Sequence, residues 1–359
     1  MIKKKLKFNL VKLKDMIEKI KMEITSIILM SIMLAFIFFL VTCTNEKEYN
    51  IMTVTGVMKA GKMGITLPHE HVLVDFIGAD SVSRDRYNPE EVFKVALPYL
   101  KEIKELGCQT FIECTPAYLG RDPVLLKRLS EASGLNIMTN TGYYGARQNQ
   151  HLPQYAFKET VDQLAGRWID EWLNGIDNTN VRPGFIKIAV DQGELTDIHE
   201  KLVRAAARTH LNTGLIIASH TGPAIGAFEE IEILKEEGVD PSAFIWVHAQ
   251  AEENLQYHVK AAKMGAWISF DGLGWGKPEI YIQMLNNMKS HDLLHKVLIS
   301  HDAGWYHVGE PNGGNFIGFT TLFKKLLPAL TDSGFTDDEI NLLLVDNPAE
   351  AFSVRVKKY

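Results

Sequence analysis

Short apolar runs alternate with amphipathic stretches along most of this chain, and that rhythm narrows the folds open to it. The plainest amphipathic stretch spans 90–106. Val92, Val95, Ala96, Leu100, Ile103 and Leu106 share one helical face there, and Gly107 stops it. Further helices are expected over 123–133, 159–173, 196–213, 227–237, 254–264, 278–288, 316–330 and 337–344. Between them lie apolar runs around Phe111 and over 136–139, 185–190, 215–219, 244–247, 266–270 and 297–301. Strands buried on both faces read as continuous apolar runs, and parallel pairing requires a crossover between them, most often a helix. With the run before His69, eight such strands can be counted, the pattern of an α/β chain closed as a TIM (β/α)8 barrel. An open doubly wound sheet is the rival, but the glycine-rich phosphate turn it usually carries after its first strand is missing. Ahead of the barrel, 51–54 and 64–67 read as a short β-hairpin around the turn Lys59-Ala60-Gly61-Lys62.

The strand ends carry the chemistry. His69 and His71 follow one apolar run, Lys187 sits inside another, His220 and His248 each end one, and Asp302 follows the last. Residues at equivalent positions on successive strands meet at the C-terminal mouth of a β/α barrel. Side chains two apart on a strand share a face, so His69 and His71 can address one metal ion. Lys187 is the least ordinary of the six, because lysine is rarely buried without a partner. Burial favours its neutral amine, which can add CO2 and become a carbamate, an anionic ligand with two oxygens. The plainer alternative is a lysine reaching the rim or pairing with Asp302 or Glu113. His220 and His248 lie about one strand–helix unit apart, and Asp302 is placed to bind metal and accept a proton from bound water. A divalent metal centre is expected, and a carbamate's two oxygens are able to bridge two ions. The imidazole-rich set favours zinc, although manganese, cobalt or iron fit similar donors.

His301 should point the opposite way from Asp302, toward the helices. His151, His199, His210, His258, His291 and His295 fall in helices or loops and are expected on the surface, with His307 a candidate for a substrate loop. The segment 309–315 is a further candidate for that loop. Cys108 and Cys114 are too far apart along an extended strand to pair and are expected as two core thiols.

Residues 1–43 read differently from the rest. Lysines crowd the opening, an apolar stretch follows over 24–41, and Leu40-Val41-Thr42-Cys43 ends it. A basic start before an apolar core is the pattern of a secretory signal. Cys43 then stands where a bacterial lipoprotein is acylated, with a linker over 44–50 and the catalytic domain over 51–359. The alternative is an uncleaved single-span anchor. Either way the domain is expected in the cell envelope, facing the periplasm or exterior and tied to the membrane at its N-terminus. Translation could also start at Met16 or Met22. The net charge of -6 offers no basic footprint for nucleic acid.

The stretches Gly64-Ile65-Thr66-Leu67-Pro68-His69-Glu70-His71, Gly120-Arg121-Asp122, Thr141-Gly142-Tyr143-Tyr144, Gly184-Phe185-Ile186-Lys187, Ser219-His220-Thr221 and Asn347-Pro348 carry a resemblance. From about Met52 onward the chain resembles the phosphotriesterase family of the amidohydrolase superfamily. The resemblance implies that His69, His71, Lys187 and Asp302 hold a more buried metal. Carboxylated Lys187, His220 and His248 would hold a more exposed one. A bridging hydroxide would then attack a small-molecule ester, lactone or phosphoester, with Asp302 relaying the proton and Tyr144 lying close to the substrate. A homodimer is also in keeping with the family. One departure stands out: lactonase members carry an arginine soon after the seventh strand, where this chain has Phe270-Asp271-Gly272-Leu273-Gly274-Trp275. An amide-bond amidohydrolase and a non-catalytic metal- or ligand-binding lipoprotein are the other readings.

Overall fold

In the computed structural model, which describes residues 2–42 and 49–359, the apolar runs of the second unit pair in parallel, each with the next. The strands are β1 Thr66–Glu70, β2 Thr110–Glu113, β3 Asn136–Met138 resuming at Asn140–Thr141, and β4 Phe185–Ala189. They continue as β5 Ile217–His220, β6 Phe244–Val247, β7 Trp267–Phe270 and β8 Val297–Ile299. Parallel pairing runs unbroken from β1 to β8. The chain beyond β8 returns to β1: the Asp302 N–H donates to the His69 carbonyl at 3.1 Å, and the His71 N–H to Ala303 at 2.9 Å. The result is an α/β fold on a parallel sheet, in the ring order of a (β/α)8 barrel.

Alternation along the strands splits the core in two. Phe111, Ile137, Ile186, Ile217, Phe244, Ile268 and Val297 face the helices and share one buried cluster with helix residues such as Leu100, Leu202, Ile231 and Leu285. Their neighbours Ile112, Met138, Phe185, Ala218, Ile245, Trp267 and Leu298 form a second buried cluster inside the ring. The crossover helices start where local chemistry sets them. At Pro123–Ser133, for example, the Asp122 carboxylate caps the N–H groups of Val124 and Leu125, and Gly134 closes the helix at φ 73°.

Two expectations need correcting. The hairpin pairs Asn50–Thr53 with Gly56–Lys59, turning at Val54-Thr55 rather than at Lys59–Lys62. Gly56, at φ 126°, takes the backbone turn, residues 60–62 form a single helical turn, and 64–67 lead into β1. The expected helix over 316–330 starts late, with a wide π-turn Leu322–Leu326 before the α-helix Leu327–Asp332. A second π-turn, Leu342–Asp346, precedes Asn347–Ala351 in the same way. Each leads into a proline, Pro328 or Pro348, whose missing N–H interrupts the regular helical ladder. Cys108 and Cys114 are buried free thiols, as expected.

The first unit, described separately, is one helix, Ile2–Thr42. Cys43 and residues 44–48, the expected acylation site and most of the linker, lie outside the described residues. Among the described residues no helix is long and apolar enough to cross a membrane.

At Gly142 the backbone sits at φ +118°, and a Cβ there would lie 2.2 Å from the Lys187 carbonyl oxygen. Gly142→Ala should therefore destabilise the fold by at least ~1 kcal/mol. Urea unfolding measures this, and an unchanged midpoint would refute the close approach.

Candidate metal centre

Three local devices aim side chains into the ring. Lys187 lies two residues after Phe185 and His220 two after Ala218, so plain alternation turns both inward. Alternation from Leu67, which faces the helices, would send His69 outward. A bulge prevents that: Leu67 pairs with Phe111 and Glu70 with Glu113, so β1 uses three steps where β2 uses two. Pro68, with no N–H to donate, sits within it. His248 and Asp302 use the left-handed region instead, at φ 61° and 51°. For non-glycine residues that conformation is strained and must be held by its surroundings. Asp302 is held by two indoles, since Trp275 and Trp305 both donate Nε1–H to its carbonyl at 2.7 and 2.8 Å. The His248 N–H donates to Asp271.

All six donors line one cavity of about 160 Å3, together with Tyr144, Arg147, Phe76, Cys114, Leu119 and Trp305. Asp302 Oδ1 lies 3.1 Å from His71 Nε2 and 3.5 Å from His69 Nε2. That oxygen makes no well-aligned hydrogen bond. Three donor atoms close together but poorly aligned with one another suit a shared cation.

The opposite nitrogen of each ring is occupied. His71 Nδ1 meets the Thr115 hydroxyl at 2.8 Å, while His69 Nδ1 and His248 Nδ1 meet the two Asp271 oxygens at 3.2 and 2.7 Å. Burial would raise the Asp271 pKa, but His248 and His69 outweigh it and hold the group well below the usual range. An ionised carboxylate only accepts, so both Nδ1 atoms carry the proton and Nε2 is the atom each ring offers to a metal. Asp271 also takes the Ser269 hydroxyl at 2.7 Å and the Gln250 amide at 3.1 Å. Although Asp271, His69 and His248 are close enough to hold an ion, these bonds make Asp271 a support for the imidazoles. It was missed as a site residue in the sequence, yet it follows the apolar run 266–270 directly, as Asp302 follows 297–301.

Lys187 is 2% exposed, and among the described residues no carboxylate lies within ion-pair distance of it. Its one hydrogen bond, to the Ile188 carbonyl, is 3.4 Å long. The expected alternative of a pair with Asp302 or Glu113 does not form. Burial lowers its pKa and favours the uncharged amine. Burial also carries His71 down to about 4 and His220 well below its ordinary range, leaving both rings neutral. At His248 the same burial effect is outweighed by Asp271, and the net direction is up. Burial would raise Asp302, but the surrounding histidines hold it below the usual range. The Tyr144 hydroxyl lies 3.3 Å from His220 Nδ1.

Other histidines sort differently from expectation. His301 does face the helices, with Nδ1 at 2.6 Å from Glu70 and Nε2 accepting the Leu322 N–H. His307 lines a neighbouring hollow with Phe76 and Arg86 and does not line the cavity of the six donors. His151, His199, His210 and His258 are buried, against the expected surface placement. His199 and His210 lie on the inner face of the helix Asp197–Thr213, and His258 on that of Leu255–Lys263. Each satisfies backbone: His199 the Gly145 carbonyl, His258 that of Ala249, and His210 both Leu215 O and the Lys357 N–H.

His210 gives a pH prediction. Burial, its largest influence, lowers its folded pKa below 6.5. The unfolded chain therefore binds the proton more readily, so this stability is present above pH 6.5 and is lost as pH falls through the folded value. His210→Asn cannot titrate, and its unfolding free energy should depend less steeply on pH below 6.5. An identical slope would contradict the assignment.

Comparison with known proteins agrees with this geometry. The Phosphotriesterase family model matches residues 49–352. A phosphotriesterase homology protein of Escherichia coli is 30% identical over 80% of this chain and 98% of its own. An aryldialkylphosphatase of Saccharolobus solfataricus is 29% identical over 81% and 95%. An N-acetyltaurine hydrolase of Dictyostelium discoideum is 24% identical over 86% and 99%. Among solved structures, an organophosphorus hydrolase from Deinococcus radiodurans superimposes with TM-score 0.78 at 26% identity, covering 86% of this chain and 98% of its own. With the matched region taking in every one of the convergent donors, the chain belongs to the phosphotriesterase family.

Proposed function

We propose that this chain is a binuclear metal-dependent hydrolase of small-molecule esters, lactones or phosphoesters. The observation that carries it is the meeting of six donors in one cavity, with the His69 and His248 rings oriented through Nδ1 by Asp271 and the His71 ring by Thr115. His69, His71, Lys187 and Asp302 would hold one ion, and Lys187, His220 and His248 the other. Bound there, two divalent ions, zinc by the imidazole-rich donor set, would supply Lewis acidity and an activated water. The unpaired, buried Lys187 amine fits carboxylation by CO2, which would make it a two-oxygen ligand shared between the sites. Asp302, kept ionised by its histidines, is placed to accept a proton, and Tyr144 forms the wall beside His220. The test is turnover of lactones, aryl esters and phosphotriesters by protein supplied with bicarbonate and divalent metal. Loss on chelation and recovery on readdition support the reading, whereas full activity after chelation would overturn it.

Amide hydrolysis is the second reading, favoured by relatives named as N-acetyltaurine hydrolases. An N-acyl substrate in the same screen separates the two. We also propose that Cys43 is acylated and holds the domain at the outer side of a bacterial membrane. Lipid labelling that persists in Cys43→Ser would refute this.

A further inference from the structure

Arg147 lies on the loop after β3 and lines the cavity of the six donors. Its guanidinium sits 4.5 Å over the Phe76 ring, Phe76 stacks on Trp305 at 5.8 Å, and Trp305 lies 4.2 Å from the His71 ring. A row of rings thus holds the cation at the edge of the metal centre. Nearby arginines are occupied: Arg86 pairs with Asp75 at 2.6 Å, Arg84 with Asp177 at 2.8 Å and Arg121 with Glu171 at 2.7 Å. Among the described residues, no carboxylate lies within ion-pair distance of the Arg147 guanidinium, and its side chain makes no hydrogen bond.

The backbone beneath it is strained. Arg147, Gln148 and Asn149 are left-handed in succession, at φ 62°, 58° and 62°. For Arg147 and Gln148 this costs about 1–2 kcal/mol each, and less for Asn149, whose short polar side chain tolerates it. Asp191, just beyond the Lys187 strand, holds the turn by accepting the N–H of Arg147 at 2.7 Å and of Gln148 at 3.2 Å. The carboxylate that could have neutralised Arg147 is thereby engaged with its backbone. Strain that a fold maintains beside a functional cavity points to a use for the side chain it presents.

We infer that Arg147 recognises an anionic group, a carboxylate, sulfonate or phosphate, on a substrate whose scissile bond lies at the six donors. This rests on the hydrolase reading above. The guanidinium fork matches such oxyanions in two places at once, and the exposed Arg147 side chain is seated over the Phe76 ring. A neutral substrate leaves it without a partner. A hydrogen bond to a charged group is worth enough to change relative affinity by about tenfold or more.

Two measurements on the metal-loaded full chain test this. In the first, kcat/KM is compared for 4-carboxyphenyl acetate and phenyl acetate. The ratio should favour the anion, fall at least about tenfold in Arg147→Gln, and recover in part in Arg147→Lys. In the second, calorimetric titration compares benzenesulfonate with methyl phenyl sulfone, its neutral counterpart, and the preference for the sulfonate should fall in Arg147→Gln. If no ester, lactone or phosphotriester of the wider screen is turned over but the sulfonate preference falls in Arg147→Gln, the hydrolase reading fails and Arg147 keeps only an anion-binding role. If the esters are turned over and neither preference changes in Arg147→Gln, the recognition role is overturned and the hydrolase reading stands.

Discussion

Replacing Lys187 with alanine should lower kcat/KM for any hydrolysed substrate by more than about 100-fold and reduce bound metal from two ions per chain to at most one. Loss of a residue that merely supports a metal ligand typically costs 10–100-fold, and loss of a shared ligand should cost more. The fold itself should survive. Lys187 makes one long hydrogen bond and no ion pair among the described residues, so its removal leaves no buried charge unpaired. Short carboxylic acids added to the variant should restore part of the metal loading by standing in for the missing oxygens. Metal content and turnover measured side by side check this. Wild-type values for both in Lys187→Ala would show that the lysine is structural.

Asp271→Ala should rank second. Its two oxygens orient His69 and His248 by accepting their Nδ1 protons, and it also gathers Ser269, Gln250 and the His248 N–H. Without it both rings can rotate or protonate at Nε2, and metal affinity should fall about 10–100-fold. Asp271→Asn can accept one of the two protons and should lie between. Unlike Lys187→Ala, this loss should be overcome by excess metal, because no proposed ligand has been removed. Activity that cannot be recovered at any metal concentration would place Asp271 elsewhere in the mechanism.

How far these positions could be read in the sequence depended on the device that aims each one. Lys187 and His220 follow simple strand alternation, and their inward direction can be read from Phe185 and Ala218. His69 and His71 share a face by the same rule, but which face is decided by a bulge at Pro68 that period-two reasoning does not reveal. His248 and Asp302 depend on left-handed backbone maintained by contacts from distant segments, which no local pattern encodes. Asp271 was within reach, since it directly follows an apolar run, as Asp302 does. The buried histidines of Asp197–Thr213 were also within reach, because His199, Val203, Ala206 and His210 form one helical stripe. Arg147 was not, since its role comes from a strained loop and an aromatic row that only the tertiary fold assembles.

The most direct measurement is metal stoichiometry on the purified protein, by elemental analysis, with 13C NMR after exchange against labelled bicarbonate. Two divalent ions per chain and a carbamate carbon that disappears in Lys187→Ala are expected. A single ion at full activity, or two ions with no carbamate signal, would contradict a centre bridged by Lys187.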